Sequence, residues 1–151
     1  MNHTQQVRVT FYGGVGWVTG ANFLLENIVG EGEQLTKIMV DCGMFQGGDN
    51  ATTMNHEAFH YDPATIDVLI ITHAHADHIG RVPKLVKDGF RGTIYSTEAT
   101  YDLARIMLAD SLEIINYEAK EKNSDPLYTE QHVRHALDRR DGDLDGPLAA
   151  L

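Results

Sequence analysis

The feature that most constrains the fold is residues 66–72, which read IDVLIIT and hold the longest aliphatic stretch of the chain. A continuous run of this kind is typical of a β-strand that is buried on both faces. Alternating or aliphatic segments predict three strands before it, at residues 7–12, 21–26 and 35–41, and one strand after it, at residues 92–96. We therefore expect a sheet that contains at least one enclosed strand.

Helices are predicted mainly after that strand. Residues 78–88 have a helical pattern, and Pro83 places the true start of this helix near Arg81. Thr97 is a suitable N-cap for a long helix, and residues 129–139 predict a last amphipathic helix. The apolar stripe of the long helix consists of Tyr101, Ala104, Leu108, Leu112 and Ile115. This element order predicts a layered α/β or α+β domain with a mixed sheet and flanking helices.

Length and composition limit the possible functions. The 151 residues fit one domain, which we place at residues 1–140, and residues 141–151 have no period and are expected to fray. Lys and Arg number 12 against 22 Asp and Glu, so any phosphate recognition has to be local. The single cysteine, Cys42, excludes an intrachain disulfide framework and a cysteine-rich zinc fold. With no signal-peptide or membrane-spanning pattern, we expect a cytoplasmic protein without membrane contact.

The loop after the aliphatic strand is rich in metal-binding residue types. Residues 72–80 read THAHADHIG and hold three histidines and an aspartate within six positions. Imidazole nitrogens and carboxylate oxygens are ligands of zinc and other first-row divalent ions. His73 and His75 can converge on one ion if the loop is extended between them. Asp77 and His78 then point toward a second position, so the loop predicts a metal centre.

The pattern His-x-His-x-Asp-His over residues 73–78 resembles the signature of the metallo-β-lactamase fold superfamily. Residues 7–138 are similar to its RNA-processing branch, the β-CASP nucleases related to the cleavage-and-polyadenylation endonuclease. The segments that carry this likeness are FYGGVGWVTGANFLLE, MVDCGMFQGG and RVPKLVKDGFRGTIYSTEATYDLARIMLADS. The resemblance implies a metallo-β-lactamase-like αββα sandwich, of which this chain resembles only the N-terminal half.

The same resemblance implies phosphodiester hydrolysis at a site with two zinc ions, and RNA as the partner. It assigns His73 and His75 to one zinc ion and Asp77 and His78 to the other. Asp77 can also orient the attacking water, which makes it the candidate catalytic residue. Asp41 would orient a ligating imidazole from behind, although an ordinary strand-terminating aspartate is the alternative interpretation.

The chain also departs from the family pattern. The complete family site needs two further histidines and a bridging aspartate, all downstream of this region. After Ser124 the chain has only His132 and His135, and a solvent-facing helix surface accounts for both. We therefore expect an incomplete site with weak or no activity alone, in a chain that has a homodimer partner or lacks a C-terminal portion. Whether the chain alone is an enzyme stays open, with the family favouring a zinc-dependent hydrolase or ribonuclease.

Two other functions stay open. A hydrolase of the same superfamily that acts on a thioester or lactone would share the histidine-rich loop. A non-catalytic metal-binding or dimerising fragment is also compatible with the sequence, because half a sandwich exposes an apolar face and a strand edge.

Basic residues follow the metal loop at helical spacing. Arg81, Lys84 and Lys87 repeat every third residue, and Arg91 comes shortly after. They predict either a local phosphate-binding patch, with Arg81 and Lys84 as its candidates, or a solvated helix face.

Two other motifs are expected to be coincidental. Residues 56–60 match HExxH, which requires a helix, but Pro63 leaves room for about one helical turn. Gly14 and Gly16 after the first strand are superficially like a dinucleotide fingerprint. The third glycine would have to stand at Thr19, and the following residues predict a strand instead of a helix.

Overall fold

The computed structural model describes residues 6–29 and 33–139, so the predicted fraying of residues 141–151 lies outside the described part. A five-stranded sheet has the strand order β1–β2–β3–β4–β5. Its strands are β1 (Gln6–Gly13), β2 (Asn22–Val29), β3 (Glu33–Val40), β4 (Val68–Ile70) and β5 (Thr93–Tyr95). Strands β1, β2 and β3 are antiparallel neighbours, while β3, β4 and β5 run parallel. The predicted mixed sheet is confirmed, although the fourth strand is shorter than residues 66–72.

Five α-helices accompany the sheet within the described residues. They are α1 (Ala51–His56), α2 (Ala76–Ile79), α3 (Val82–Lys87), α4 (Glu98–Lys122) and α5 (Glu130–Leu137). The single helix predicted over residues 78–88 is two helices, because Pro83 lies in the first turn of α3 and Arg81 takes the N-cap position. Thr97 caps α4 as predicted, with its side chain accepting from the backbone N–H of Thr100. No helix in the described ranges is long and apolar enough to cross a membrane.

One face of the sheet carries the core. A row of directly paired residues crosses four strands, and each of its side chains is buried: Leu24, Met39, Leu69 and Ile94. The same core cluster includes Leu85 of α3, Leu108 of α4 and Val133 of α5. The helices therefore cover this face, and apolar burial there is the main stabilising term of the fold.

The opposite face of the sheet is largely apolar, and no helix of the described residues covers it. Strand register places these side chains on it: Val7, Val9, Phe11, Phe23, Leu25, Asn27, Thr36, Ile38, Val40, Val68, Ile70, Thr93 and Tyr95. None of them is fully buried, and the β1 members are exposed. The described part of the chain thus contains one sheet with a helical layer on one side only.

The register also brings three chain segments to one edge. Strands β3 and β4 run parallel, so the residues that follow them emerge side by side, and the N–H of Asp41 donates to the carbonyl of Ile70 at 2.9 Å. Residues 71–75 continue from β4 along this edge. The sheet thereby sets Asp41 beside the histidine-rich loop.

The two motifs expected to be coincidental lack their required structures. Helix α1 ends at His56, and Glu57 has an extended backbone with ψ of 149°, so the HExxH residues do not share a helix. The glycine-rich turn after β1 leads into β2, where a dinucleotide site would need a helix.

Candidate metal centre

Asp41 is the buried acceptor around which the loop is organised. The residue is 1% exposed, and its backbone has a left-handed φ of 58°, a conformation that aspartate tolerates better than most residues. Oδ1 accepts the backbone N–H of Thr72 at 2.8 Å, while Oδ2 lies 2.7 Å from Thr72 Oγ1 and 2.8 Å from His78 Nδ1. The carboxylate therefore ties the end of β3 to both ends of the loop.

His73 and His75 form the first pair of the loop. His73 Nε2 and His75 Nδ1 lie 3.2 Å apart, and the two rings meet edge to face with centroids 4.8 Å apart. Residue 75 has an extended backbone at φ −72° and ψ 148°. The backbone is therefore extended at His75, in keeping with the extended loop that convergence of the two histidines requires.

Asp77 and His78 form the second pair, on the first turn of α2. His78 Nε2 lies 3.6 Å from Asp77 Oδ2, and the rings of His78 and His73 have centroids 3.9 Å apart. Both side chains of the pair are 24% exposed. The two pairs are thus adjacent and reachable from solvent.

Backbone hydrogen bonds hold the loop against the ends of the strands. Cys42 N donates to the carbonyl of His78 at 2.8 Å, and Ala21 N donates to the carbonyl of Asp77 at 2.9 Å. Gly43 lies so close that an added Cβ would meet the Asp77 carbonyl oxygen at 1.6 Å. The glycine at position 43 is therefore required by the close approach of two backbones.

The predicted ligands are adjacent, but they do not close a complete site. Within residues 6–29 and 33–139, no group of three or more His, Cys, Asp or Glu side chains converges as a metal-binding group. The arrangement instead consists of two donor pairs at the end of the sheet.

Arg81 and Lys84, the candidates for phosphate contact, are buried side chains with partners of their own. Arg81 is 5% exposed, donates from Nε to the carbonyl of Gly43 at 2.6 Å, and lies over the ring of Phe45. Lys84 lies over Phe59 and makes a salt bridge of 2.5 Å with Asp88. Arg81 therefore holds the start of α3 against the loop after β3, and Lys84 holds α3 against Phe59, so they form neither of the surfaces that their spacing favoured.

Two further basic residues donate hydrogen bonds to backbone carbonyls, and the cysteine is buried. Lys87 Nζ donates to the carbonyl of Leu127 at 3.0 Å, and Arg91 donates to the carbonyl of Phe90 at 2.8 Å. Cys42 is fully buried, and this burial raises the pKa of its thiol to about 11. A thiol with that pKa is not a nucleophile at neutral pH.

His132 and His135 lie on α5. Thr129 and His132 form a capping box, in which His132 Nδ1 accepts the backbone N–H of Thr129 at 3.1 Å. Burial, followed by the nearby charge of Lys87, lowers the pKa of His132. His135 is exposed. His132 thus caps a helix, a role that its position three residues after a threonine could have indicated.

Thr72 is the residue of this site that sequence reasoning missed. Its hydroxyl lies 3.0 Å from His73 Nδ1 and 3.5 Å from His78 Nδ1, in addition to its contact with Asp41. The available signal was its position between the end of a buried strand and the first histidine.

Comparisons with known proteins identify the family to which the chain belongs. Residues 28–149 match the metallo-beta-lactamase superfamily. Ribonuclease TTHA0252 of Thermus thermophilus is 37% identical over 131 residues, which cover 87% of this chain and 27% of the ribonuclease. Transcription termination factor FttA of Methanosarcina mazei is 36% identical over 134 residues, which cover 88% of this chain and 20% of that protein.

A third relative is similar over a shorter part of the chain. Cleavage and polyadenylation specificity factor subunit 3-I of Arabidopsis thaliana is 31% identical over 103 residues, which cover 68% of this chain and 14% of that subunit. The chain thus spans about a quarter or less of the length of these curated relatives. The resemblance to the N-terminal part of RNA-processing β-CASP nucleases is confirmed, and the chain belongs to the metallo-beta-lactamase superfamily.

Proposed function

We propose that this chain provides part of a dinuclear zinc centre that hydrolyses phosphodiester bonds in RNA. The observation that carries the proposal is the adjacency of the two donor pairs, His73 with His75 and Asp77 with His78, at the end of the parallel strands. The relatives named as a ribonuclease and as a cleavage and polyadenylation factor support RNA as the substrate class.

The donor atoms of the first pair fit zinc. Two ligands at about 2.0–2.1 Å from a tetrahedral zinc ion lie about 3.3 Å from each other. His73 Nε2 and His75 Nδ1 lie 3.2 Å apart, close to that edge length. The spacing therefore supports a shared ion without a large movement of either ring.

The donor atoms of the second pair, Asp77 and His78, also lie near the spacing of two zinc ligands. The distance of 3.6 Å between His78 Nε2 and Asp77 Oδ2 is slightly longer than a tetrahedral edge. The opposite nitrogen of His78 is held by Asp41 at 2.8 Å, which orients Nε2 toward the carboxylate of Asp77.

The residues of the chain have distinct roles in this proposal. Zinc, when bound, supplies an activated water near neutral pH and offsets the charge that develops on the phosphoryl oxygens. Asp77 would orient the attacking water through its carboxylate. Asp41 fixes the ring angle of His78, and the buried Arg81 holds the backbone at Gly43 beside the loop. The remaining ligands come from outside the described residues.

Metal content of the 151-residue chain, purified without a histidine tag and dialysed against zinc, tests the proposal. We expect two zinc ions per chain, of which the one at the first pair is lost in His73→Ala and both are retained in the control His60→Ala, because His60 is an exposed histidine outside the loop. Absence of zinc in the unmodified chain would overturn the metal role. Cleavage of a thioester in place of RNA by the zinc-loaded protein would favour the other hydrolase class.

A specific observation favours a second candidate function, that of a dimerising fragment. The uncovered sheet face has no charged side chain among its described members, and it ends at the open edge of β1. Exposed apolar faces of this kind are rare on monomers. A second copy of the chain, packed face to face, would cover it at the usual spacing of about 10 Å between sheets.

A further inference from the structure

The hydroxyl of Thr72 lies between the two donor pairs. Its oxygen is 2.7 Å from Asp41 Oδ2 and 3.0 Å from His73 Nδ1. The backbone N–H of the same residue donates separately to Asp41 Oδ1 at 2.8 Å. Side chain and backbone therefore make independent contacts, and a change of the side chain leaves the backbone bond in place.

The carboxylate of Asp41 determines which atom carries the proton in each of these side-chain contacts. An ionised carboxylate only accepts hydrogen bonds, whereas a threonine hydroxyl has one proton to donate and lone pairs with which to accept. The short contact to Asp41 thus takes the hydroxyl proton of Thr72. The oxygen of Thr72 is left as an acceptor, so the proton in its contact with His73 belongs to Nδ1 of the imidazole.

The opposite arrangement, with the proton of His73 on Nε2, is disfavoured. If Nε2 of His73 carried the proton, Nδ1 would need the hydroxyl proton of Thr72, and two lone pairs would face each other across 2.7 Å between Thr72 and Asp41. A buried carboxylate that loses one donor in this way is destabilised. Asp41 is 1% exposed, so water does not replace the lost donor.

We propose that Thr72 is a positioning residue that fixes the tautomer of His73, with the proton on Nδ1 and the lone pair on Nε2. The inference rests on the proposed function, because the lone pair on Nε2 is the one that faces His75 and would ligate the metal. The single carboxylate of Asp41 then orients both pairs, His78 by direct contact and His73 through the hydroxyl of Thr72.

The measurement is the ¹⁵N chemical shift pattern of the histidine side chains in the metal-free chain, recorded by long-range ¹H–¹⁵N correlation. It reports the tautomer of each imidazole and needs no activity. We expect His73 in the Nδ1–H form, although free histidine prefers the proton on Nε2. We expect Thr72→Val to convert His73 toward the Nε2–H form, and Thr72→Ser to preserve the wild-type pattern because it keeps the hydroxyl.

Controls separate this role from a general effect on folding. Thr52→Val changes an exposed threonine of α1 and is expected to leave the His73 signals unchanged. An Nε2–H tautomer of His73 in the unmodified chain would overturn the inference, whether or not Thr72→Val folds. So would an Nδ1–H tautomer that persists in a folded Thr72→Val variant.

Zinc titration of the same variants distinguishes the two proposals. We expect Thr72→Val to weaken zinc binding about 10-fold or more, and Thr72→Ser to remain near the wild-type affinity. A confirmed tautomer in a chain that binds no zinc would refute the proposed function and leave the proton order intact. Zinc binding with the other tautomer would refute the inference alone.

Discussion

Asp41 and His78 are 37 positions apart in the sequence, yet Oδ2 of one lies 2.8 Å from Nδ1 of the other. The contact joins the residue after β3 to the first turn of α2. Through this contact the end of β3 fixes the ring angle of His78, a proposed metal ligand.

The substitution Asp41→Asn tests this relationship. The amide has one acceptor oxygen for the three donors that Asp41 now satisfies, two from Thr72 and one from His78. We expect a loss of about 2 kcal/mol or more in the free energy of unfolding, measured by urea denaturation. Asparagine tolerates the left-handed backbone at this position, so strain does not confound the result. The exposed Asp49→Asn is the control, and equal stability of the two variants would contradict the role of Asp41.

Gly43 provides a steric prediction. An alanine Cβ would approach the carbonyl oxygen of Asp77 to 1.6 Å, so one of the two backbones has to move. We expect Gly43→Ala to lower the free energy of unfolding by several kcal/mol and to shift the backbone amide signals of the metal loop. In Gly47→Ala the added Cβ meets nothing within 4 Å, although φ is +76°, so that control is expected to cost about 1 kcal/mol. A mild effect at Gly43 would show that the loop is not held at this point.

Arg81 is expected to matter for stability and not for phosphate contact. Arg81→Met removes the hydrogen bond to Gly43 and the stacking on Phe45, and should cost about 2 kcal/mol or more in chemical denaturation. The exposed Arg105→Met should cost less than about 0.5 kcal/mol. RNA binding by folded Arg81→Met, compared with that of Arg105→Met, decides the second point. A selective loss of RNA affinity would restore Arg81 as a phosphate contact.

His132 gives the chain a pH dependence with a definite sign. Burial lowers its pKa below the ordinary value of 6.5, so the folded state holds the neutral imidazole and releases a proton that the unfolded state binds. The stability from this residue is complete above pH 6.5 and is lost as the pH falls. His132→Gln keeps an acceptor for Thr129 and does not titrate, so its thermal midpoint should decline less between pH 7 and pH 5. His60→Gln is the control, and identical pH profiles for all three proteins would refute the assignment.

The uncovered sheet face predicts self-association. Static light scattering should give a mass that rises with concentration toward twice 16.8 kDa. Phe11→Glu places a charge on the face and should give a monomer, whereas Leu103→Glu on α4 should not, although both native side chains are 57% exposed. A monomeric wild type at all concentrations would remove this candidate.

The sequence predicted the parts of this fold that depend on local patterns. The five strands, the N-cap at Thr97 and the break near Arg81 follow from periodicity, side-chain capping and the missing N–H of proline. The adjacency of the four proposed ligands follows from their spacing in one loop. Each of these features is decided within a few residues.

The remaining features depend on contacts between distant segments. The spacing of Arg81 and Lys84 favoured a phosphate patch or a solvated face, but Phe45 and Phe59 provide rings on which both cations are buried. The two contacts of Thr72 likewise require β3 and β4 to lie side by side. A single sequence carries no direct signal for such pairings.

The paired row of Leu24, Met39 and Leu69 has a final consequence for the metal loop. A slip of β3 by one residue would turn Met39 out of the core and, in the same movement, carry Asp41 away from His78. A chain with the wrong strand pairing therefore loses its apolar interior and its ligand geometry together. Burial of the core residues therefore also favours the strand register in which the proposed ligands lie together.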